Sequence, residues 1–457
     1  MARPAGRRKG CVVPSASANY RTLLRTPGAV AFFIPAAVGR LGIAMTGIGI
    51  VWLVHARTGS YAAAGLVTGG FAVADAVAGP QIGRLVDRFG QARVLPCVLG
   101  GHAGAVALLL ADAVPDLVAG VLIGATLPQL SALSAARWSA LLSGERAAAL
   151  PTAFALEALA NGVSYMAGPA LVSVLGAAGR PGAGVLLAAT LVVGGGLALA
   201  AQRRTMPVLT GRAERRHAGR ALLRSAFLRQ VALGLALGVF FGAMQVSVAA
   251  YAVGRGTPDA AALLYFASNC TNLVGGWAYG AWRHGGSPRR RQAAAAACLA
   301  LTSLPLTFLD ASLAIGATLA LTGLAVPVLL ILTSVLTESS VPRAVLTQAF
   351  SWGNSASAAG IAGAAAVAGR VVDAGGAHGG FGVAAGAAVV MTVLALGGLR
   401  GSSPDAPKPP APAEATAPNS GATRRDSSTN RGAVVGTDAG DSAALSGSAR
   451  TDGRDGG

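Results

Sequence analysis

The sequence predicts an all-α integral membrane protein with twelve transmembrane helices. Its 457 residues are 53% hydrophobic and only 12% charged. A soluble domain carries about 25% charged residues, so this chain lacks the polar surface that a water-soluble fold of its length requires. A membrane span needs about 20 mostly apolar residues. Such segments recur along the whole chain and alternate with short gaps that contain arginines.

Twelve apolar segments are long enough to be counted as spans. They are residues 28–54, 61–82, 94–111, 115–136, 148–175, 182–201, 228–253, 259–281, 293–309, 312–335, 346–370 and 380–399. The basic start, Met1–Lys9, precedes a long first segment that has no small-residue cleavage site. We therefore expect a retained first helix rather than a removed signal peptide.

The distribution of lysine and arginine predicts the orientation in the cytoplasmic membrane, because short loops rich in these residues stay in the cytoplasm. With the N-terminus inside, the inner segments hold the clustered cations and the outer loops hold isolated arginines with most of the loop acids. The inner cations are Arg3, Arg7, Arg8, Lys9, Arg21, Arg25, Arg84, Arg88, Arg93, Arg137, Arg146, those of 203–229, Arg283 and Arg289–Arg291. Both termini are predicted to be cytoplasmic. The net charge of +18 thus indicates membrane topology rather than nucleic-acid binding.

The chain divides into five regions. A basic N-terminus (1–27) precedes a six-helix half (28–201), a basic loop (202–227) and a second six-helix half (228–400). The loop is arginine-rich, and we expect an amphipathic segment on the inner leaflet. Residues 401–457 are Pro, Ala, Gly, Ser, Thr and Asp without periodicity, which predicts a disordered cytoplasmic tail.

A charged loop lies between the second and third spans and reads Gly83-Arg84-Leu85-Val86-Asp87-Arg88-Phe89-Gly90-Gln91-Ala92-Arg93. The pattern Gly-x-Leu-x-Asp-Arg-x-Gly-x-x-Arg at this place resembles the signature loop of the major facilitator superfamily, and the resemblance covers about residues 20–400. A weak internal repeat supports two halves, since Gly79-x-x-x-Gly83 recurs as Gly276-x-x-x-Gly280. In the second copy His284 stands where Asp87 would align.

The resemblance implies two six-helix halves related by a pseudo-twofold axis along the membrane normal. It also implies that the loop is a conformational latch of the outward-open state. Asp87, Arg88 and Arg93 would form its charge cluster, and Gly83 and Gly90 would shape its turn. The alternative is a simple turn with cytoplasmic arginines.

The fifth span contains a second signal. Phe154, Glu157, Asn161, Ser164 and Gly168 recur every three or four residues, so they share one helix face. Gly168-Pro169 follows, and it resembles part of the antiporter motif of exporters in the superfamily. Ser164 stands where that motif has glycine. Pro169 is expected to kink the helix, and the alternative is a kink that serves packing alone.

Four ionisable residues are predicted inside the bilayer, where each costs about 2.5–3.5 kcal/mol and is a functional hypothesis by default. Arg40 and Glu157 each lie roughly 15–18 Å from the cytoplasmic end by a rise of about 1.5 Å per residue, which favours a buried ion pair. Asp75 and His102 each lie about 12 Å deep, which favours a proton-responsive pair. Either pair could be purely structural.

The second half has only neutral candidates for a substrate cavity, namely Gln245, Asn269, Asn272 and Asn354. Together with Asn161, these amides could bind substrate or join helices, and joining helices is the commoner use. Proton coupling would then reside in the first half. The fourth span lacks the mid-helix arginine of many proton-coupled exporters, and Arg40 is the candidate substitute.

These observations predict a secondary transporter that exports a small organic molecule, such as a drug or secondary metabolite, in exchange for protons. We expect no cofactor, no metal and no nucleic-acid partner, and a monomer in the lipid bilayer.

An uptake carrier for a sugar or nutrient is the nearest alternative, although the low aromatic content of 5% favours an amphiphilic substrate. A membrane-embedded enzyme or a transport-dead sensor is a more distant one. Walker, HExxH and GxSxG motifs are absent from the sequence.

Overall fold

The computed structural model describes residues 20–400 except 210, 258, 283 and 284. Within this part of the chain every regular element is a helix, which confirms the predicted all-α class. The helices are α1 (Tyr20–Leu24), α2 (Ala29–Thr58), α3 (Tyr61–Phe89), α4 (Gln91–Leu110), α5 (Asp116–Ala125), α6 (Leu130–Leu141), α7 (Leu150–Ala177), α8 (Pro181–Ala201), α9 (Arg212–Gly219), α10 (Ser225–Gly254), α11 (Asp259–Ala281), α12 (Pro288–Ser303), α13 (Ser312–Ser340) and α14 (Leu346–Arg400).

Nine helical segments of the described chain are long and apolar enough to cross a membrane. One of these combines α5 with α6, and another contains all of α14. Large apolar side chains on their outer faces are exposed, for example Val77 at 67%, Val174 at 69% and Leu321 at 57%. Such faces suit contact with lipid tails, because lipid is as apolar as these side chains.

The fourth predicted span, 115–136, is wrong as a single helix. It is interrupted between Ala125 and Leu130. Pro128 explains the break, since proline lacks a backbone N–H and disfavours the helical conformation of the residue before it. The interruption places the side chain of Gln129 against α3, where it bonds to Asp75.

The ninth predicted span, 293–309, is shifted. The helix starts earlier, with Pro288 in its first turn, and it ends at Ser303. A short 3₁₀ segment, Leu304–Thr307, follows. Proline suits the first turn because its missing N–H has no partner there in any helix, and Pro305 explains why the α-helix does not continue.

Two main apolar cores hold the helices together. One lies wholly within residues 233–395 and includes Leu237, Phe240, Phe381 and Met391. The other is centred on Phe32, Trp138, Phe154 and Leu199 of the first half and is joined by Tyr279, Ile331 and Leu332. The second core therefore includes residues from both sides of the central loop (202–227).

The two ends of the bundle differ in charge. One end holds α1, the α3–α4 turn at Gly90, α9 and the start of α14, and we call it the arginine-rich end. Leu209 from the central loop packs beside Gly90 there. The opposite end holds the ion pair of Arg57 with Asp116, 2.8 Å between Nη1 and Oδ1, and the contact of His378 with Asp310, 3.2 Å between Nε2 and Oδ1.

Residue Gly376 divides α14 near this opposite end. Its backbone has φ 72° and ψ −174°, a combination that only glycine adopts readily. The chain can turn back there because no side chain opposes the conformation.

We predict that Gly376→Ala destabilises the protein by about 1–3 kcal/mol through backbone strain. A Cβ at this position would meet no atom within 4 Å, so crowding is not involved. Gly375→Ala is the matched control, because that position is equally open and has no positive φ. The measurement is the thermal unfolding midpoint of each purified variant. Equal midpoints for the two variants would contradict the strain argument.

Candidate functional site

A buried ion pair joins α2 to α7. The Nη1 group of Arg40 donates to Oε2 of Glu157, and the residues are 3% and 7% exposed. The other carboxylate oxygen, Oε1, accepts from Ser134 Oγ at 2.5 Å and from Trp138 Nε1 at 2.7 Å. Asn161 Oδ1 lies 3.3 Å from Arg40 Nη1. Both carboxylate oxygens are therefore satisfied, and α2, α6 and α7 meet at Glu157.

The guanidinium of Arg40 is less completely satisfied than the carboxylate. Its Nε donates to the carbonyl of Ala36 at 3.2 Å, and its Cζ lies 5.7 Å from the ring centroid of Phe33. Its Nη2 is buried without a hydrogen-bond partner among the described residues. A buried donor without a hydrogen-bond partner raises the free energy of the folded protein. An acceptor that entered the site would therefore bind this nitrogen favourably.

The predicted pairing of Asp75 with His102 does not occur in the structure. Asp75 Oδ1 accepts from Gln129 Nε2 at 2.9 Å. His102 is fully buried and lies close to the backbone of Ile123 on α5, but neither ring nitrogen has a partner with hydrogen-bonding geometry in the described chain. The physical reason is that other residues lie against each side chain: Gln129, just before α6, bonds to Asp75, and α5 packs against α4 beside His102.

The carboxylate of Asp87 contacts the start of α14. Its Oδ1 accepts from the backbone N–H of Thr347 at 3.3 Å, and its Oδ2 accepts from that of Gln348 at 2.9 Å. These N–H groups lack partners inside the helix and carry the positive end of its dipole. Asp87 therefore caps a helix that lies beyond the central loop in sequence.

This cap differs from the predicted charge cluster. In the described chain neither Arg88 nor Arg93 forms an ion pair with Asp87. The guanidinium of Arg88 lies 4.8 Å from the ring centroid of its neighbour Phe89. Arg93 lies in the first turn of α4, where its backbone N–H bonds to the carbonyl of Gly90 at 3.3 Å. Gly90 has φ 89°, which only glycine adopts without strain.

Two glycines allow close contact between helices on opposite sides of the central loop in sequence. A Cβ at Gly83 would lie 2.7 Å from Ser351 Oγ and 2.9 Å from Gln348 Cα of α14. A Cβ at Gly280 would collide with Tyr20 and Ala155. Both glycines belong to the internal repeat, so each copy makes a close approach to a helix on the other side of the central loop.

Tyr20 is a contact residue that sequence reasoning missed. Its hydroxyl donates to the carbonyls of Gly276 at 3.3 Å and Trp277 at 3.1 Å on α11. Thr152 Oγ1 donates to Gly280 O at 2.9 Å nearby. Burial raises the pKa of Tyr20 to about 12, so its hydroxyl keeps its proton at physiological pH. No periodicity marks this tyrosine, because it precedes the first span.

Arg137 is the second residue that sequence reasoning undervalued, since it was placed only as a loop cation. It is fully buried and donates to the carbonyls of Leu199 and Gln202, each at 2.8 Å, and to Gln91 Oε1 at 2.7 Å. Its positive charge thus meets the negative end of α8. This arginine fixes α4, α6 and α8 to one another at the arginine-rich end.

The predicted cavity amides of the second half do not form one cluster. Gln245 and Asn354 are exposed, whereas Asn269 and Asn272 are half-buried. Asn269 Nδ2 donates within its own helix to the carbonyl of Tyr265 at 3.0 Å. Tyr265 in turn donates to the carbonyl of Gln245 at 2.7 Å, so this pair of helices is tied through the backbone.

Gly168 and Pro169 lie within α7, which runs without interruption from Leu150 to Ala177. A Cβ at Gly168 would lie 3.1 Å from that of Ala44 and 3.2 Å from the carbonyl of Leu41. The glycine therefore lets α7 approach α2 just beyond the Arg40–Glu157 pair. Tyr165, one turn before Pro169, is 66% exposed and lies near both Asp75 and Arg40.

Among the described residues no group of three or more His, Cys, Asp or Glu side chains is arranged to hold a metal ion. The site is instead a set of hydrogen-bonded charges inside an apolar bundle. Such a set can exchange protons and can bind polar groups of a small molecule.

The sequence of the chain matches the model of a known protein family. The family model described as Major Facilitator Superfamily matches residues 32–320. Comparison with curated protein sequences found no match.

Three solved structures are similar in fold. The human organic anion transporter MFSD10 (TETRAN) is 16% identical, with a TM-score of 0.61 over 80% of this chain and 98% of that one. A bacterial homologue of the iron transporter ferroportin, in its outward-facing state, is 12% identical, with a TM-score of 0.66 over 81% and 98%. The transporter FucP in its outward conformation is 16% identical, with a TM-score of 0.60 over 82% and 100%. At these identities the likeness concerns the fold alone.

We predict that Arg40→Gln and Glu157→Gln each destabilise the protein by about 3–5 kcal/mol, because each leaves an uncompensated buried charge. The double variant should cost less than either single change. Arg57→Gln is the control, since it breaks a more exposed ion pair that is expected to contribute about 0–1 kcal/mol. Thermal unfolding of the purified variants measures all four effects. Strictly additive costs for Arg40 and Glu157 would show that the charges do not depend on each other.

Proposed function

The chain belongs to the Major Facilitator Superfamily, and we propose that it exports a small organic molecule in exchange for protons. The family is one of secondary transporters, so this multi-pass membrane protein is a transporter and not an enzyme. The observation that carries the proton-coupled proposal is the buried pair of Arg40 and Glu157, which is the only ion pair among the described residues with both partners buried.

We propose twelve crossings in two halves, residues 28–201 and 228–400, with 202–227 between them. The described helices support this count when α5 and α6 are taken together and α14 is divided at Gly376. The arginine-rich end would face the cytoplasm, because clustered arginines remain on that side. The regions 1–27 and 401–457 would then also be cytoplasmic.

The proposed conformation is closed towards the cytoplasm and open outward. The cross-half hydrogen bonds of Asp87, Thr152 and Tyr20 all lie at the arginine-rich end. Rocking of the halves about a central cavity would exchange this closure for one at the opposite end. Asp87 would act as the latch, because its bonds to the start of α14 have to break before the cytoplasmic end opens.

In the proposed coupling step a proton from the outward cavity reaches Glu157. Protonation of Oε2 removes the charge of the carboxylate, and Arg40 loses the partner that offsets its burial. An unpaired buried guanidinium is strongly unfavourable, so α2 and α7 have to rearrange. The freed donors of Arg40, together with Asn161, would then be available to a polar group of the substrate. Asp75 with Gln129 is the next candidate if Glu157 does not exchange protons.

The proposed direction is export. The Gly168-Pro169 pair on α7 supports it by resemblance to the antiporter motif, and the substrate would be an amphiphilic compound such as a drug or secondary metabolite. Gln245, Asn269, Asn272 and Asn354 would line the part of the cavity contributed by the second half.

We predict that Asp87→Asn impairs transport and shifts the protein towards the inward-open state, because the neutral side chain binds the positive start of α14 more weakly. Tyr165→Cys, in a background without native cysteines, reports the outward state by its reaction with a water-soluble maleimide. Labelling should fall in the Asp87→Asn variant. Asp373→Asn, an exposed aspartate of α14, serves as control. Unchanged labelling and transport would exclude the latch.

We predict that Glu157→Gln abolishes efflux driven by the proton gradient but preserves substrate binding and energy-independent exchange. Glutamine imitates the protonated carboxyl group, so the variant can bind but cannot cycle its charge. The measurement compares gradient-driven accumulation with exchange at equilibrium in proteoliposomes. Accumulation at the wild-type rate would place the coupling site elsewhere, with Asp75 as the next position to change.

A further inference from the structure

A pocket of about 530 Å³ opens at the arginine-rich end, and we call it the arginine pocket. Its walls come from the end of α3, from α9 and the turn after it, and from the start of α14. Arg84 and Arg88 extend from α3, and Arg215 and Arg216 extend from α9. Two segments that are distant in sequence thus place four guanidinium groups around one space.

The charge of this pocket is only partly balanced by its own residues, because Asp87 interacts electrostatically with Arg215 alone of the four arginines. Asp87 is the one acid in the lining, and both of its oxygens accept backbone N–H groups of α14. Among the described residues Arg84, Arg88 and Arg216 form no ion pair. Like charges held close together repel, so the pocket favours an anion. The forked guanidinium groups suit a phosphate, which accepts paired N–H bonds.

The surroundings of the pocket are apolar and exposed. Val208 is 91% exposed, Leu223 77%, Leu209 50% and Phe89 42%. Leu222 also lines the pocket itself. Arginines close in sequence to exposed apolar side chains suit the boundary between headgroups and acyl chains. A soluble anion gives these apolar groups no partner, whereas a phospholipid supplies both the phosphate and the chains.

We propose that the arginine pocket binds the headgroup of an anionic phospholipid from the adjacent leaflet. The phosphate would lie between the arginines of α3 and those of α9, beside the contact of Asp87 with α14. A bound lipid would neutralise the repulsion among the arginines and would tie the central loop to α3. It would thereby stabilise the closed cytoplasmic end. The binding step needs no substrate and no proton gradient, so it can be tested apart from the proposed export.

The first experiment titrates the full-length detergent-solubilised protein with phosphatidylglycerol or phosphatidylcholine and counts bound lipid by native mass spectrometry. The test variant is the double change Arg84→Gln and Arg216→Gln. The matched control is Arg203→Gln with Arg204→Gln, two exposed arginines of the same loop region that do not line the pocket. We expect about tenfold weaker phosphatidylglycerol binding in the test variant, from lost charge-assisted hydrogen bonds, and near wild-type binding in the control.

Equal weakening in both variants would overturn the proposal, because general attraction to the leaflet would then explain the binding. Displacement of phosphatidylglycerol by equimolar inorganic phosphate would overturn it in favour of a soluble-anion site.

A second measurement covers the case in which the test variant does not fold. Hydrogen exchange of residues 212–223 in the wild-type protein should be slower in nanodiscs that contain phosphatidylglycerol than in pure phosphatidylcholine, and equal exchange would also overturn the proposal.

Discussion

A charge inside the bilayer has to be paired, and the bond between Arg40 and Glu157 is where the first half meets this requirement. Placing one charged group there costs about 2.5–3.5 kcal/mol, so each residue lowers the cost of burying the other. Ser134 and Trp138 complete the shell of the carboxylate. Since Arg40 belongs to α2, Ser134 and Trp138 belong to α6, and Glu157 belongs to α7, the relative positions of three helices depend on one carboxylate. A change in its protonation therefore affects all three together, which is what a coupling site requires.

The second constraint is how the halves close. Because Gly83 and Gly280 have no side chains, α3 can approach α14 and α11 can approach α7. Asp87, Thr152 and Tyr20 then form hydrogen bonds to backbone groups at these contacts. Contacts to backbone carbonyls and N–H groups depend on helix position rather than on partner side chains. Such contacts would break as a set if one half rotated as proposed. The arginine pocket lies beside this closure and would add the leaflet as a further partner.

Composition and loop charge predicted the helical class and the places of most spans, because length and apolarity are local properties of the sequence. The depth count also placed Arg40 and Glu157 at one level, where the structure joins them. The same count failed for Asp75 and His102, since depth says nothing about which helix lies between two residues. The cap formed by Asp87 was mistaken for a side-chain cluster because a sequence does not show which backbone N–H groups are unpaired nearby. The break at Pro128 was not predicted, because the apolar residues around the proline form one run long enough for a single span.

The central claim is that Glu157 gains and loses a proton while Arg40 changes partners. Infrared difference spectroscopy of the protein in lipid membranes measures this directly, because a protonated carboxyl group has a C=O stretching band that a carboxylate lacks. Lowering the external pH should produce such a band in the wild-type protein. The band should be absent from Glu157→Gln and present in Asp75→Asn. A band that persists in Glu157→Gln and disappears in Asp75→Asn would contradict the account and would move the proton to Asp75.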